Sequence, residues 1–267
     1  MDSRIVFLMY HELELPDRAL CQREPGYVRY VLRASDFQSQ VHWLKVAGWS
    51  GWSVSKALTF PSSPGVAVTF DDGCETDLLT AAPILAEAHF GATFYTTLAY
   101  LGRPGYLSPS QVRELAELGF EIGCHSMTHP YLSDLDREGL HNEIEVPKRK
   151  LEQITGRPVT HFSCPGGRWN PSVAEVAKEA GYESVTTSRN RANSQRTDLF
   201  SLGRVAILRD MSLGTFQQIC RAQNLWRLQL RDLARASGKK LMGNAGYDAL
   251  RALLLRQKRS STKSSIS

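Results

Sequence analysis

The sequence lacks any apolar run near the roughly 18–20 residues that a membrane-spanning helix needs. It also lacks a C-x-x-C pair, and its five cysteines are scattered: Cys21, Cys74, Cys124, Cys164 and Cys220. Neither a disulfide framework nor a cysteine-based zinc site is therefore expected, and buried thiols are the plainer interpretation. The opening apolar run, residues 5–10, is too short for a secretory signal, which predicts a cytoplasmic protein.

An excess of positive over negative charge is found only at the C-terminal end. The formal net charge is +5, yet residues 227–267 hold ten basic and two acidic side chains, which leaves the remainder slightly acidic. Because a nucleic-acid-binding domain carries its basic surface on the fold, no nucleic-acid partner is predicted. Four basic residues recur on one helical stripe: Arg227, Arg231, Arg235 and Lys239. Peripheral contact with the inner membrane face is one interpretation, and a solvated face docked by its leucines is the other.

Short apolar runs alternate with amphipathic stretches along residues 1–225, which predicts an α/β domain with a mostly parallel sheet. Strands are predicted at residues 5–10, 66–70, 92–97, 120–123, 159–164 and 184–187. Helices are predicted at residues 35–48, with Ser35 as N-cap, and at 78–89, 108–119, 136–156 and 172–181. Residues 226–267 are expected to form a basic helical extension with a disordered tail, and nothing predicts an oligomeric state.

Two adjacent carboxylates, Asp71 and Asp72, directly follow the predicted strand at residues 66–70. Carboxylates at the end of a buried strand are costly unless something compensates their charge. One carboxylate binding a metal cation and the other transferring a proton would explain the pair. A solvated Asp-Asp-Gly turn is the alternative.

Two histidines four positions apart, His125 and His129, follow the predicted strand at residues 120–123. This spacing places both imidazoles on one side of a helical turn, where they can bind one ion, although Pro130 disfavours a longer helix. Two histidines and one aspartate form an open coordination sphere with positions left for water and substrate. Two solvent-exposed histidines are the alternative.

A third polar segment, residues 163–169, begins at the end of the predicted strand at residues 159–164. Pro165 and Gly166 predict a sharp turn with backbone N–H groups that a substrate oxyanion can reach. Arg168 and Trp169 are candidates for holding anionic and ring-like parts of a substrate. An ordinary tight turn between strand and helix is the alternative.

In order and spacing, these three segments resemble the NodB-homology polysaccharide deacetylases of carbohydrate esterase family 4. The family motif T-F-D-D-G stands unaltered at residues 69–73, and H-[ST]-x-x-H stands at 125–129 within FEIGCHSMTHP. Upstream, FLMYHEL and SDFQSQVHWLKVAGWS resemble the subgroup that acts on poly-N-acetylglucosamine-type exopolysaccharides. The resemblance covers residues 5–220 and implies a distorted (β/α) barrel, here followed by the C-terminal helical extension.

The resemblance also implies roles for the motif residues. Asp72, His125 and His129 match the metal ligands, with Zn²⁺ the expected ion, although Co²⁺, Ni²⁺ and Fe²⁺ suit the same donors. Asp71 matches the general base, and Gly166 occupies the place that supplies a backbone oxyanion contact. The implied reaction removes N-acetyl groups from a GlcNAc-containing polysaccharide or glycan and releases acetate.

The sequence departs from the family pattern twice. Ser163 stands where the third motif has an arginine that orients the base, and Arg168 is a candidate for the missing charge. No histidine follows residue 161, so the family's late acid is absent. In the exopolysaccharide subgroup a histidine after the first strand lies at the site; His11 matches it and is assigned as the acid, a packing role being the alternative.

Three other functions share these motifs. The motifs identify a metal and a water rather than the group attacked, so O-acetyl esterase activity and amide hydrolysis of a non-carbohydrate remain open. A glycan-binding protein with a vestigial site would explain Ser163 and the missing histidine. The complete set of Asp72, His125 and His129 argues against that third function.

Overall fold

The computed structural model describes residues 4–230. Its strands are β1 (Phe7–Tyr10), β2 (Leu13–Glu14), β3 (Leu32–Arg33), β4 (Ser50–Trp52), β5 (Gly65–Phe70), β6 (Thr93–Thr96), β7 (Glu121–Cys124), β8 (His161–Ser163), β9 (Ser184–Thr186) and β10 (Val205–Ala206). Its helices are α1 (Pro25–Val28), α2 (Ala34–Val46), α3 (Val54–Ala57), α4 (Ala82–Ala88), α5 (Pro109–Glu117), α6 (Arg137–Thr155), α7 (Pro171–Glu179) and α8 (Leu213–Cys220).

The main sheet is parallel and runs in the order β10-β1-β5-β6-β7-β8-β9, with β4 also paired to β5. Residues 202–205 connect the two edges of this sheet. Leu202 forms a parallel bridge with Thr186 of β9, and three residues later Val205 pairs with Leu8 of β1. The sheet therefore curls towards closure, and the predicted α/β architecture with a distorted barrel is confirmed.

Sequence signals place most helices within a residue or two of their predicted ends. Ser108 and Gln111 form a reciprocal capping box at the start of α5. Asp136 caps the amide of Gly139 at the start of α6, and the left-handed Gly156 ends that helix. The predicted Ser35 cap is wrong: α2 begins at Ala34 with Arg33 in the N-cap position. The reason is that β3 pairs with β2 up to Arg33, so the extended chain ends there.

Stacked aromatic rings form the core beneath the carboxyl ends of the first strands. The rings of Tyr10 of β1, Phe37 of α2 and Phe70 of β5 contact one another, with Tyr10 5.1 Å from each phenylalanine centroid and the two phenylalanines 5.4 Å apart. Phe70 in turn stacks on Phe94 of β6 at 5.1 Å. This rigid layer fixes the strand ends from which the polar segments emerge.

Part of the predicted C-terminal extension, including Arg231, Arg235 and Lys239, lies outside the described residues. Within residues 4–230, no helix is both long and apolar enough to cross a membrane.

Candidate active site

Three polar segments meet at the carboxyl edge of the parallel sheet. His11 follows β1 directly, Asp71 follows β5, and His125 follows β7. Backbone hydrogen bonds continue the ladder past the strand ends, from the Asp71 N–H to the Tyr10 carbonyl (3.0 Å) and from the His125 N–H to the Thr96 carbonyl (2.9 Å). This edge is where parallel α/β sheets carry their sites.

Asp72, His125 and His129 form one cluster. Nε2 of His125 lies 3.5 Å from Oδ1 of Asp72, and Nε2 of His129 lies 3.4 Å from the same oxygen. Their potential ligand atoms all lie within 4.8 Å of one another. Oδ1 of Asp72 is buried and accepts no hydrogen bond within the described chain. An unsatisfied buried carboxylate oxygen facing two imidazole nitrogens fits a divalent cation.

The tautomer of His125 is set by its second ring nitrogen. Nδ1 lies 2.8 Å from the carbonyl oxygen of Ser163, which can only accept, so Nδ1 carries the proton. The lone pair of Nε2 is then directed at Asp72. Burial lowers the pKa of His125 to about 4, although Asp71 acts in the opposite direction, so the ring is neutral near pH 7. A neutral imidazole in this tautomer is a ready metal ligand.

The backbone is strained at the cluster. Asp72, Ser126 and His129 have φ angles of 80°, 68° and 67°, a region that residues other than glycine rarely adopt. Gly73 continues the turn at φ 77°, where a Cβ atom would lie 3.1 Å from a side-chain carbon of Thr96. Strained backbone of this kind is common at functional sites, and it persists where the surrounding structure holds it in place.

Glu143 of α6 holds the loop between the two histidines. Its Oε2 accepts the N–H groups of Met127 (3.0 Å) and Thr128 (2.8 Å), and its Oε1 accepts the Thr128 hydroxyl (2.6 Å). The Ser126 hydroxyl accepts the His129 N–H at 2.9 Å. These bonds satisfy the loop and fix the direction of His129.

Asp71 is paired with a buried arginine, Arg204. The guanidinium donates to both carboxylate oxygens at 2.7 Å and to the hydroxyl of Ser163 at 2.7 Å. Burial alone would raise the pKa of Asp71, but Arg204 and then His125 outweigh it and hold that pKa well below its usual range. The charge expected from Arg168 therefore comes from Arg204, and Ser163 belongs to the same network.

His11 lies at the same edge as the two aspartates. Its ring packs beside Tyr30 with centroids 4.9 Å apart. Burial lowers the pKa of His11, while the nearby Asp72 and Asp71 carboxylates act in the opposite direction. Nδ1 of His11 is enclosed and has no hydrogen-bond partner among residues 4–230.

The turn at Pro165–Gly167 follows β8 as expected, with Gly166 left-handed at φ 57°. Arg168 lies over the ring of Tyr131 at 4.4 Å from its centroid. The indole N–H of Trp169 donates to the Phe200 carbonyl at 2.7 Å. These contacts hold the Arg168 and Trp169 side chains in place at the turn. Their contact with substrate stays a prediction.

Sequence reasoning missed Arg204 and Glu143. An arginine inside the apolar stretch 202–207 was a usable signal for Arg204, because a buried guanidinium requires a partner. Glu143 gave no signal, since a glutamate within an amphipathic helix is ordinary.

The central part of the chain is similar to known polysaccharide deacetylases. Residues 61–185 match a family model described as polysaccharide deacetylase. A peptidoglycan-N-acetylglucosamine deacetylase of Bacillus cereus is 34% identical over 146 residues, which are 54% of this chain and 64% of that protein. A chitooligosaccharide deacetylase of Azorhizobium caulinodans is 34% identical over 125 residues, 46% of this chain and 58% of that protein. The chain thus spans about three fifths of these relatives' lengths.

A solved structure supports the fold. A Streptococcus pyogenes deacetylase in complex with acetate superposes with a TM-score of 0.73 at 23% identity, covering 82% of this chain and 99% of that one. The distorted barrel is therefore a fold that this chain shares with the Streptococcus pyogenes protein.

Proposed function

We propose that this chain, whose residues 61–185 form a polysaccharide deacetylase domain, removes N-acetyl groups from a GlcNAc-containing polysaccharide or glycan. The observation that carries the proposal is the cluster of Asp72, His125 and His129 beside the ionised Asp71. A metal site with a proton acceptor at its edge is the arrangement that amide hydrolysis by water requires.

Asp72, His125 and His129 would hold one divalent ion, with Zn²⁺ the expected occupant because two imidazoles and a carboxylate suit it. Co²⁺, Ni²⁺ and Fe²⁺ fit the same donors. When bound, the ion supplies a water of lowered pKa and polarises the substrate carbonyl.

Asp71 would accept the proton of the attacking water at a carboxylate oxygen. Arg204 keeps Asp71 ionised near neutral pH and holds both oxygens in one orientation, with the Ser163 hydroxyl in contact with the same guanidinium. Asp71 therefore needs no prior loss of a proton before it acts.

His11 would donate the proton that the leaving amine requires. An amine is a poor leaving group unless its nitrogen is protonated as the C–N bond breaks. His11 lies outside the ligand cluster, and the nearby Asp72 and Asp71 charges favour its protonated form by raising its pKa against the effect of burial. The backbone N–H of Gly166 and the side chains of Arg168 and Trp169 are proposed to contact the oxyanion and the sugar.

The proposed substrate is an exopolysaccharide of the poly-N-acetylglucosamine type. Its support is the position of His11 after the first strand, which matches that subgroup. The curated relatives named above act on peptidoglycan and chitooligosaccharides, and those two glycans are the comparison substrates.

Acetate release from the zinc-loaded protein tests the proposal. N-acetylglucosamine oligomers should release acetate, and an O-acetylated glycan without N-acetyl groups should not. Asp71→Asn should reduce the rate by about 10²–10⁴-fold, the usual effect of losing a general base, while retaining the metal. Asp36→Asn, in an exposed pair with Arg33, is the matched control and should keep the rate.

Two results would contradict the proposal. Release from the O-acetylated glycan alone would establish an esterase instead. Loss of metal together with activity in Asp71→Asn would mean that the roles of Asp71 and Asp72 are exchanged.

A further inference from the structure

Two cysteines that are 53 positions apart in the chain lie together beneath the candidate active site. Sγ of Cys21 is 3.7 Å from Sγ of Cys74, which follows Gly73 at the turn carrying the aspartates. The carboxylate of Glu12 completes the group, and the potential ligand atoms of Glu12, Cys21 and Cys74 lie within 4.8 Å of one another. We name these three residues the thiol cluster.

The thiol cluster is held in place by its own contacts. Both carboxylate oxygens of Glu12 accept the Cys21 N–H, at 3.1 and 3.0 Å, and Oε2 also accepts the Tyr27 hydroxyl at 2.9 Å. Glu12 and Cys74 are buried, while Cys21 is partly exposed. A ligand would therefore meet side chains that are already converged and lose little conformational entropy in ordering them.

A buried carboxyl group beside the thiol cluster has no partner. Both oxygens of Asp77 are enclosed without a hydrogen bond among the described residues. Burial, followed by the nearby carboxylate of Asp72, raises its pKa well above the usual value. Acidic side chains are thus concentrated around the thiol cluster, and the nearby Arg18 is engaged by Glu75 at 2.5 Å. A bound cation would favour the ionised forms of these acidic groups.

We propose that Glu12, Cys21 and Cys74 form a second metal site, separate from Asp72, His125 and His129, that takes a thiophilic divalent ion such as Zn²⁺. With Zn–S bonds of about 2.3 Å, two thiolates on a tetrahedral ion lie about 3.8 Å apart. The Cys21–Cys74 separation of 3.7 Å agrees with that value. Thiolates favour zinc over magnesium or calcium, whose preferred ligands are oxygens.

Binding exchanges protons for the ion. Both thiols must ionise, so two protons leave as the two Zn–S bonds form. One of them is the proton that the Cys21 thiol donates to the Gly105 carbonyl at 3.1 Å. The ion would join the loop carrying Cys21 to the turn at Asp72–Cys74.

Metal content measures the site directly. The full-length protein, stripped with chelator under reducing conditions and dialysed against Zn²⁺, should retain two ions per chain. Cys74→Ser and Cys21→Ser should each retain one, whereas Cys220→Ser, which removes a buried thiol of α8, should retain two. The triple variant Asp72→Ala, His125→Ala and His129→Ala should also retain one.

Cobalt in that triple variant gives a second readout that leaves all cysteines intact. Co²⁺ should produce a thiolate-to-metal charge-transfer absorption, and bound Zn²⁺ should protect Cys21 from alkylation in the wild-type protein. These results do not depend on deacetylation, so failure of the proposed function would leave them unchanged.

Three results would overturn the second site. They are retention of no Zn²⁺ by the reduced triple variant, a cobalt spectrum of the triple variant without the charge-transfer band, and alkylation of Cys21 at the same rate with and without Zn²⁺. A Cys21–Cys74 disulfide that persists under the reducing conditions, detected by mass, would also overturn it.

Discussion

Arg204 uses every donor of its guanidinium group inside the protein. Two N–H groups bind Asp71, and the others bind the hydroxyls of Thr69 (3.2 Å) and Ser163 (2.7 Å) and the Thr187 carbonyl (3.2 Å). Five fixed donors match the five that arginine has, and lysine has only three. The site therefore requires arginine at this position, where charge and planar geometry act together.

Removing Arg204 should destabilise the fold strongly. Arg204→Met leaves the buried Asp71 charge unpaired, which typically costs about 3–5 kcal/mol of unfolding free energy. Adding Asp71→Asn to that variant should restore part of the loss, because no buried charge then remains. Urea denaturation of the metal-free proteins measures both effects.

Arg137→Met is the control for this pair of variants, since Arg137 forms only exposed ion pairs, and it should change stability little. An Arg204→Met variant as stable as wild type would show that Asp71 loses its charge in the fold.

The loss of rate on removing His11 should depend on how strongly the leaving group requires a proton. His11→Ala should slow hydrolysis of N-acetyl amides far more than that of activated aryl acetates, whose leaving groups depart without a proton. Steady-state rates on the two substrates give the ratio, and the unaltered protein gives the reference. Equal losses on both substrates would exclude the acid role.

At the scale of elements, the loop from Ser126 to His129 depends on α6. The loop carries His129, one of the proposed metal ligands, and Glu143 in the second turn of that helix accepts the N–H groups of Met127 and Thr128. α6 in turn packs against α5 and α7. The direction of His129 is thereby set by a helix that contributes no ligand.

Glu143→Gln should weaken metal binding without removing a ligand. The amide keeps one acceptor oxygen but places an NH₂ group against a loop donor, so the loop should loosen. We expect the Kd for Zn²⁺ to rise about 10–100-fold, the usual effect of altering a group that supports a metal ligand. Titration with a competing chelator measures it.

Glu138→Gln, on the exposed first turn of the same helix, is the matched control and should leave the Kd unchanged. Equal Kd values for Glu143→Gln and the wild-type protein would mean that the loop is held by other contacts.

The elements and site residues that could be predicted from the sequence are those that local patterns in the chain determine. Buried parallel strands are continuous apolar runs, and Asp71, Asp72 and His125 immediately follow such runs, so local pattern places them. Arg204 is 133 positions from Asp71 and meets it only once the sheet has curled. The contact between Cys21 and Cys74 likewise exists only in the folded chain. Ser35 was misassigned because strand pairing, a long-range effect, decides where α2 begins.

For the whole molecule, stability should depend on pH through the buried His125. Its pKa falls from 6.5 to about 4 on folding, so the unfolded chain binds more protons between those values. His125 therefore disfavours the folded state increasingly as pH falls from 6.5 towards 4. Asp71, whose pKa is also lowered, adds to this loss at still lower pH.

A comparison of variants isolates this effect. The unfolding free energy of the metal-free wild-type protein, relative to that of His125→Gln, should fall as pH drops from 6.5 to 4. Glu12 and Asp77, whose pKa values are raised by burial, act in the opposite sense in both proteins and cancel in the difference. A pH-independent difference, measured by urea denaturation, would show that His125 titrates normally.

The stretch that joins the edges of the sheet also governs the timing of assembly. Arg204 sits between Leu202, bridged to β9, and Val205, paired with β1. During synthesis Asp71 emerges more than a hundred residues before its counter-charge, so a nascent chain carries a carboxylate that cannot be buried cheaply. The last parallel strand to be made therefore completes both the wall of the barrel and the charge balance of the site. Closure of the sheet and neutralisation of the Asp71 charge become a single event.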